Sequence, residues 1–413
     1  MKDVLIINSF GGSLLAAAMQ QGLPIRGSYE TAGYGTAVQK YNAPNVRFIE
    51  KQSDWPAQDL SDTMVIGHPP CSAFSTLNTA MRQKMKDDPS VSVNSPAFKC
   101  TKDLLDYAMG SGAQMVLIES VPRAMVEAAA IHDSYAEKFG YSLFRIIQSS
   151  KYFGLPQNRK RFWAVFTKGR GAQFEVGIPN IAPPSLPDFI KQEGEPFPDH
   201  VKALKRLTEI ALERIPDDEF RAMLTGEYGF GKLRKIIAEA REAATGLEYG
   251  PEFAKKVVSG RWDVSSLTIL DPEESAPVVI GSCLWMFRDK LLTFRDYARV
   301  MGFPDWYSFP ERMLKSGNET IGYLSRGVCP PVAEWLLQTF FKRETGGWPT
   351  VTIKDGETLD TVEYNKALTK PVKSDKGIRG PREKKIVHVL ASDGFNPLAP
   401  RAIVSYTPET VEA

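Results

Sequence analysis

Four side chains have the type and setting to do chemistry: Cys71, Glu119, Arg159 and Arg161. Cys71 stands in Gly67-His68-Pro69-Pro70-Cys71-Ser72-Ala73-Phe74-Ser75, directly after the apolar run Met64-Val65-Ile66. Two prolines before it fix backbone angles and remove donors, so the thiol is held in one place. Taken alone, such a cysteine reads first as a small buried hydrophobe and only second as a nucleophile. Glu119 closes the apolar run Met115-Val116-Leu117-Ile118, and a carboxyl desolvated at a strand end is suited to donate a proton. It reads equally as a helix cap. In Gln157-Asn158-Arg159-Lys160-Arg161, an extended backbone would put Gln157, Arg159 and Arg161 on one face, where guanidinium forks can hold an oxygen. A charged hairpin is the plain alternative. Asn8-Ser9-Phe10-Gly11-Gly12 is a small-residue turn after the first apolar run, and Glu30 follows Gly12 by 18 residues. Nucleotide-binding α/β folds use such a turn, with an acid about 20 residues on for ribose hydroxyls.

These residues need a frame, and the first 168 residues alternate strand and helix signals. Strands are expected at 4–7, 25–29, 64–66, 115–118, 143–147 and 162–166, and helices at 13–21, 37–41 and 98–109. Continuous apolar strands between helices predict a mostly parallel sheet with helices on both faces. From Gly169 the pattern breaks into a Pro- and Gly-rich stretch, with charged amphipathic helices expected at 201–212 and 232–244. Regularity returns with helices at 294–300 and 331–341. Four units follow: 1–168, a smaller unit at 169–289, a return at 290–343, and an extension at 344–413. Between Lys366 and Lys385 that extension carries eight Lys/Arg against two acids. It serves either for phosphate contacts or as a solvated linker.

The 413 residues are enough for one large and one smaller core, and a net charge of +2 points to no partner. The four cysteines are scattered with no C-x-x-C pair, which argues against a disulfide framework or a zinc site and for a reducing compartment. No signal peptide or membrane-length apolar run is evident, so a cytoplasmic protein of a bacterial or phage-infected cell is expected.

Together the motifs resemble the cytosine-C5 DNA methyltransferases and their RNA-modifying relatives. Pro69-Pro70-Cys71 resembles that family's catalytic loop, Glu119-Ser120-Val121 its Glu-Asn-Val block, and Gln157 to Arg161 its Gln-x-Arg-x-Arg block. Arg295 to Pro304 is similar to Arg-Glu-x-Ala-Arg-x-x-Gly-Phe-Pro, and Ser325 to Ala333 to the last cofactor block. The resemblance covers about 1–168 and 290–342. It implies a Rossmann-like S-adenosylmethionine-dependent methyltransferase fold with a target-recognition domain at 169–289. It implies Cys71 as nucleophile on cytosine C6, Glu119 at N3, and Arg159 and Arg161 at the base oxygen or the nucleophile loop. Ser9, Phe10, Gly11, Gly12, Glu30, Pro69, Arg326 and Val328 would line the cofactor, and Gln157 and Ser75 would meet the flipped base or DNA. The cofactor would be S-adenosyl-L-methionine, with no metal, and the partner double-stranded DNA, with a downstream DNA-modifying enzyme as a further partner.

One departure bears on chemistry. Ser325-Arg326 replaces the family's Gly-Asn beside the transferred methyl. A permanent cation near a sulfonium is repulsive unless an anion intervenes. Carboxy-S-adenosyl-L-methionine carries that anion, and Arg326 could pair with its carboxylate. Carboxymethyl transfer therefore stands beside methyl transfer, and an Arg326 turned to solvent or phosphate stands against it. Action on tRNA and a catalytically silent DNA-binding relative are the other readings.

Overall fold

The computed structural model describes residues 1–31, 35–75, 81, 83–84, 88–202, 218, 267–270, 272, 274–281, 283–288, 290–310, 317–341, 348–369, 373–374 and 377–378. The helices expected at 201–212 and 232–244 lie almost wholly outside them, as does most of the basic run of the extension.

The chain divides into two compact units. The first comprises Met1–Leu155, Arg159–Pro183 and Gly327–Ala413; the second comprises Pro156–Asn158 and Pro184–Arg326. In the first unit, β1 (Asp3–Ile7), α1 (Ser13–Gln20), β2 (Ile25–Tyr29), α2 (Thr36–Asn42), β3 (Phe48–Ile49) and β4 (Thr63–Gly67) come in succession. They are followed by α3 (Pro96–Gly110), β5 (Met115–Ser120), α4 (Ala129–Phe139), β6 (Tyr141–Ser149) and β7 (Lys160–Lys168). The strands expected from sequence are all present, several a few residues longer.

The described strands form a sheet in the order β13-β6-β7-β5-β4-β1-β2-β3. Here β13 is Thr358–Asp360, from the C-terminal extension. Strands β1 to β5 pair parallel, whereas β7 runs antiparallel to both β5 and β6. Burial on both faces explains the unbroken apolar runs: Val4, Leu5, Ile6 and Ile7 are all fully buried. Leu5, Ile7, Val65 and Val116 join one core cluster with Leu104, Leu105 and Ala108 of α3. A Cβ at Gly67 would lie 2.6 Å from Leu104 Cδ1, so the glycine lets β4 lie close to that helix.

The extension is more than a tail. After β8 (Gln173–Gly177), β12 (Thr350–Lys354) pairs antiparallel with it, and β13 adds to the sheet edge parallel to β6. Asp355 fastens this return by accepting from Leu143 N (2.9 Å), Ser142 Oγ (2.9 Å) and Gly171 N (3.0 Å).

The second unit holds β9 (Leu267–Leu270), β10 (Leu284–Phe287) and β11 (Lys290–Leu291), with α5 (Phe294–Val300) and α6 (Gly317–Ser325). Thr293 and Asp296 form a capping box at the start of α5, and the same carboxylate accepts from Lys191 N and Gln192 N.

Candidate active site

Parallel pairing gathers the chemistry at one end of the sheet. Ile7 is level with Gly67 and with Tyr29, and Gly67 is level with Ile118. The residues that follow these strands therefore emerge side by side: loop 8–12, Glu30, His68 to Cys71, and Glu119. Because β7 is reversed, its beginning lies at this same end, with Glu119 opposite Trp163 and Ser120 opposite Phe162. Arg161 thus arrives beside Glu119.

Glu119 is fully buried between two cations. Arg161 Nε lies 3.0 Å from Oε1, and His68 Nδ1 meets Oε2 in a close ion pair. Both contacts are ion pairs, and neither oxygen has a further hydrogen-bond partner among the described residues. The carboxyl is held by charge and retains its capacity to bond an incoming group.

His68 also shares a hydrogen bond with Cys71. Burial alone would push the imidazole down, but Glu119 and the Cys71 sulfur outweigh it and raise His68 to about 9. Burial alone would push the Cys71 thiol up; the hydrogen bond and charge of His68, with a smaller part from Arg161, hold it below its ordinary range. Cys71 remains partly exposed, while Pro69, Ala73 and Phe74 are buried. Phe74 fixes the turn, donating its N–H to Cys71 O (3.0 Å) and stacking edge-on against Phe98. Ser75 is partly buried at its end.

Loop 8–12 is bent by left-handed backbone at Asn8 (φ 56°), Phe10 (φ 51°) and Gly12 (φ 87°). Ser9 stands in place of a glycine and uses its side chain: Oγ accepts from Leu14 N and Leu15 N at the start of α1. Gly35 must be glycine, since a Cβ would come within 2.0 Å of Phe10 O. Glu30 Oε1 accepts from Gln39 Nε2 (2.7 Å) and Phe10 N (3.1 Å). Burial raises its carboxyl to about 8 despite these donors. Nearby, Asn8 Nδ2 is a buried donor with no partner among the described residues. A raised acid and an unanswered amide beside a glycine-bearing loop suit a nucleoside carrying an amino-acid chain, so this donor set fits S-adenosylmethionine.

The three residues expected to share one face go to different partners. Arg161 serves Glu119. Arg159 is buried, pushed down to about 10 by that burial, and donates Nη2 to Gly327 O (3.0 Å). Gln157 works within the second unit, donating to Val300 O (2.8 Å) and accepting from Val279 N (3.4 Å). Residues 157–159 precede β7, so strand alternation does not govern them. Val328 donates its N–H to Ser13 Oγ (3.0 Å), so Arg159 and Ser13 between them hold the segment 327–328. Arg326 follows α6 in the second unit; its side chain is exposed and its N–H reaches Gly322 O (3.3 Å). Sequence reasoning passed over His68 and Gln39. The first lay inside the quoted loop, and a histidine three residues before the cysteine was the available signal.

Residues 29–342 match the family model for C-5 cytosine-specific DNA methylase. The chain belongs to that family. Loop 8–12 precedes the matched span, so its place in the site rests on β1 pairing. Among curated relatives, the type II methyltransferase M.MthTI of Methanothermobacter thermautotrophicus is 23% identical over 67% of this chain and 79% of its own length. The putative type II methyltransferase M.OihORF3336P of Oceanobacillus iheyensis is 29% identical, over 26% of this chain and 24% of that relative. Among solved structures, a Spodoptera frugiperda DNMT2 mutant aligns with a TM-score of 0.53 at 13% identity, covering 83% of this chain and 100% of that one. Entamoeba histolytica methyltransferase EhMeth gives 0.53 at 11%, covering 82% and 98%. At such identities these two establish a shared fold. Among the described residues no group of metal-ligating side chains occurs, and no helix is long and apolar enough to cross a membrane.

Proposed function

We propose that this chain alkylates C5 of cytosine in double-stranded DNA, with Cys71 as the nucleophile. The observation that carries this is the fully buried Glu119, clamped between Arg161 and His68 within the Cys71 cluster. Cytosine C5 is a poor nucleophile, and addition of the Cys71 sulfur to C6 converts the ring to an enamine. Glu119 bonds N3 and takes up charge that develops there. Arg161 keeps Glu119 in place, and Arg159 keeps segment 327–328 in place. Glu30 and loop 8–12 would hold the cofactor, which when bound would supply an electrophilic carbon on a sulfonium. A base within a duplex is out of reach of a thiol on a folded sheet end, so the cytosine is flipped out. Ser75 and Gln157 are the positions proposed to meet the base or DNA, Gln157 by holding 300–301 for that contact. The cell compartment proposed is the cytoplasm.

The transferred group is proposed to be carboxymethyl, from carboxy-S-adenosylmethionine, with methyl as the alternative. The position of Arg326 immediately before the anchored segment 327–328 supports this reading, whereas its exposed side chain favours the methyl alternative. Incubating DNA with either cofactor, followed by nucleoside mass spectrometry for the wild type and Arg326→Asn, tests it. Carboxymethylcytosine from the wild type, with a swing to methylcytosine in the variant, is expected; ready methyl transfer with no carboxymethyl ends the proposal. Trapping on 5-fluorocytosine DNA, lost in Cys71→Ala, tests the nucleophile separately. Labelling of tRNA in place of DNA would change the substrate.

A further inference from the structure

His68 has no part in the reaction as just described, yet it is buried between the two groups that perform it. Its Nδ1 meets Glu119 in an ion pair, the side chain shares a hydrogen bond with Cys71, and the Phe10 ring packs edge-on at 5.5 Å. We propose that Glu119, His68 and Cys71 form a proton relay: His68 takes the thiol proton of Cys71 in the free protein and, through Glu119, delivers it to N3 of cytosine as the thiolate adds to C6. This rests on the function proposed above and adds a catalytic residue to it.

The step balances without an outside acid. Before addition the cluster is a thiolate, an imidazolium and a carboxylate. As the Sγ–C6 bond forms, the C5–C6 π pair moves to C4–C5 and the C4–N3 π pair moves onto N3. His68 Nδ1 passes its proton to Glu119, which passes one to N3. The cluster ends as a thioether, a neutral imidazole and a carboxylate, with net charge unchanged. Proline at 69 and 70 stiffens the chain between His68 and Cys71, which favours one fixed arrangement.

The other ionisable groups around the cluster support this state. Arg161 stands on Glu119 and favours the thiolate; the Arg159 guanidinium feels both Glu119 and Cys71. Glu30 faces His68 from the end of β2, and its raised value keeps it mostly neutral near pH 7. Cys329 is buried and pushed up to about 11, so it does not compete for the proton. The shifts at His68 and Cys71 run in opposite directions, as an imidazolium–thiolate pair requires.

Iodoacetamide alkylation of the full chain, followed by mass spectrometry of the Cys71 peptide from pH 5.5 to 9.5, reads the thiolate directly. Cys100 is also partly exposed, with its thiol pushed up by burial, and serves as internal reference. Wild-type Cys71 should reach its plateau at a lower pH than Cys100. In His68→Gln its inflection should move toward the ordinary thiol range near ~8.5, slowing alkylation at pH 6.5 by about tenfold or more, with Cys100 unchanged. An identical Cys71 profile in wild type and His68→Gln overturns the relay. If His68→Gln does not fold, the wild-type profile decides, since a Cys71 that titrates like Cys100 is equally fatal. A parallel transfer assay on cytosine DNA separates the two proposals. Wild type that alkylates no cytosine but shows the shifted thiol removes the reaction and with it the delivery to N3. Wild type that transfers normally with an unshifted thiol removes the relay alone.

Discussion

Glu30 titrates where cofactor binding can be seen to depend on it. Its carboxyl is about 8 in the folded chain against an ordinary 4.5, so it is about 90% protonated at pH 7. Ribose hydroxyls donate hydrogen bonds, and an ionised carboxylate accepts them better than a neutral acid. Binding of S-adenosylmethionine at pH 7 should therefore release about 0.9 proton, and the affinity should rise about tenfold per pH unit below pH 8 and level off above it. Calorimetry in two buffers of different ionisation heat measures the proton, and titrations from pH 6 to 9 measure the slope. Glu30→Gln should bind more weakly and show neither effect. The same group sets a stability term with a definite sign. Its folded value is raised, so its contribution is complete below pH 4.5 and is lost as pH rises through about 8. The interval of about 3.5 pH units, at roughly 1.4 kcal/mol each, makes a loss of about 5 kcal/mol. Denaturation of wild type against Glu30→Gln should show the variant gaining across that interval. Affinity and binding heat that stay flat from pH 6 to 8, with no proton released, would refute a role for a protonated Glu30 in the cofactor site.

Arg161→Met takes away the cation 3.0 Å from a fully buried carboxylate; breaking such a pair should cost about 3 kcal/mol in urea denaturation and slow Cys71 alkylation at pH 7. Arg159→Met should leave Gly327 O without its donor, lowering stability by about 1–3 kcal/mol and raising the cofactor Kd more than it lowers transfer at saturating cofactor. Thr293→Ala removes the cap of α5 and should lower stability by about 1 kcal/mol with Cys71 reactivity unchanged, seen by calorimetry and alkylation together.

The order of strands and helices in the first 168 residues was legible because a parallel sheet buried on both faces writes itself as short unbroken apolar runs. Cys71, Glu119 and Arg161 were legible as a set only through the blocks they occupy. Arg159 and Gln157 were harder. Strand alternation predicted a shared face with Arg161, but the backbone before β7 is not part of the strand, so their side chains serve Gly327 and Val300 instead. The extension was read from its charge, which hid the short apolar segments that fold back as β12 and β13.

The family, the α/β alternation and the thiol held behind two prolines are all readable from residue order alone. That order could not determine what His68 touches. In sequence, Cys71 and Glu119 are far apart and Arg161 farther, and only the register of β4 against β5, with the reversal of β7, sets them together. Tertiary structure decided that Glu119 is shared between two cations, that Ser9 caps α1, and that residues near 360 close the sheet edge. For Glu119 and the sheet edge the physical reason is the same: the partners come from distant parts of the chain. Apolar periodicity is local and survives in one dimension, whereas the charge state of a buried group is set by neighbours that the chain supplies from distant strands.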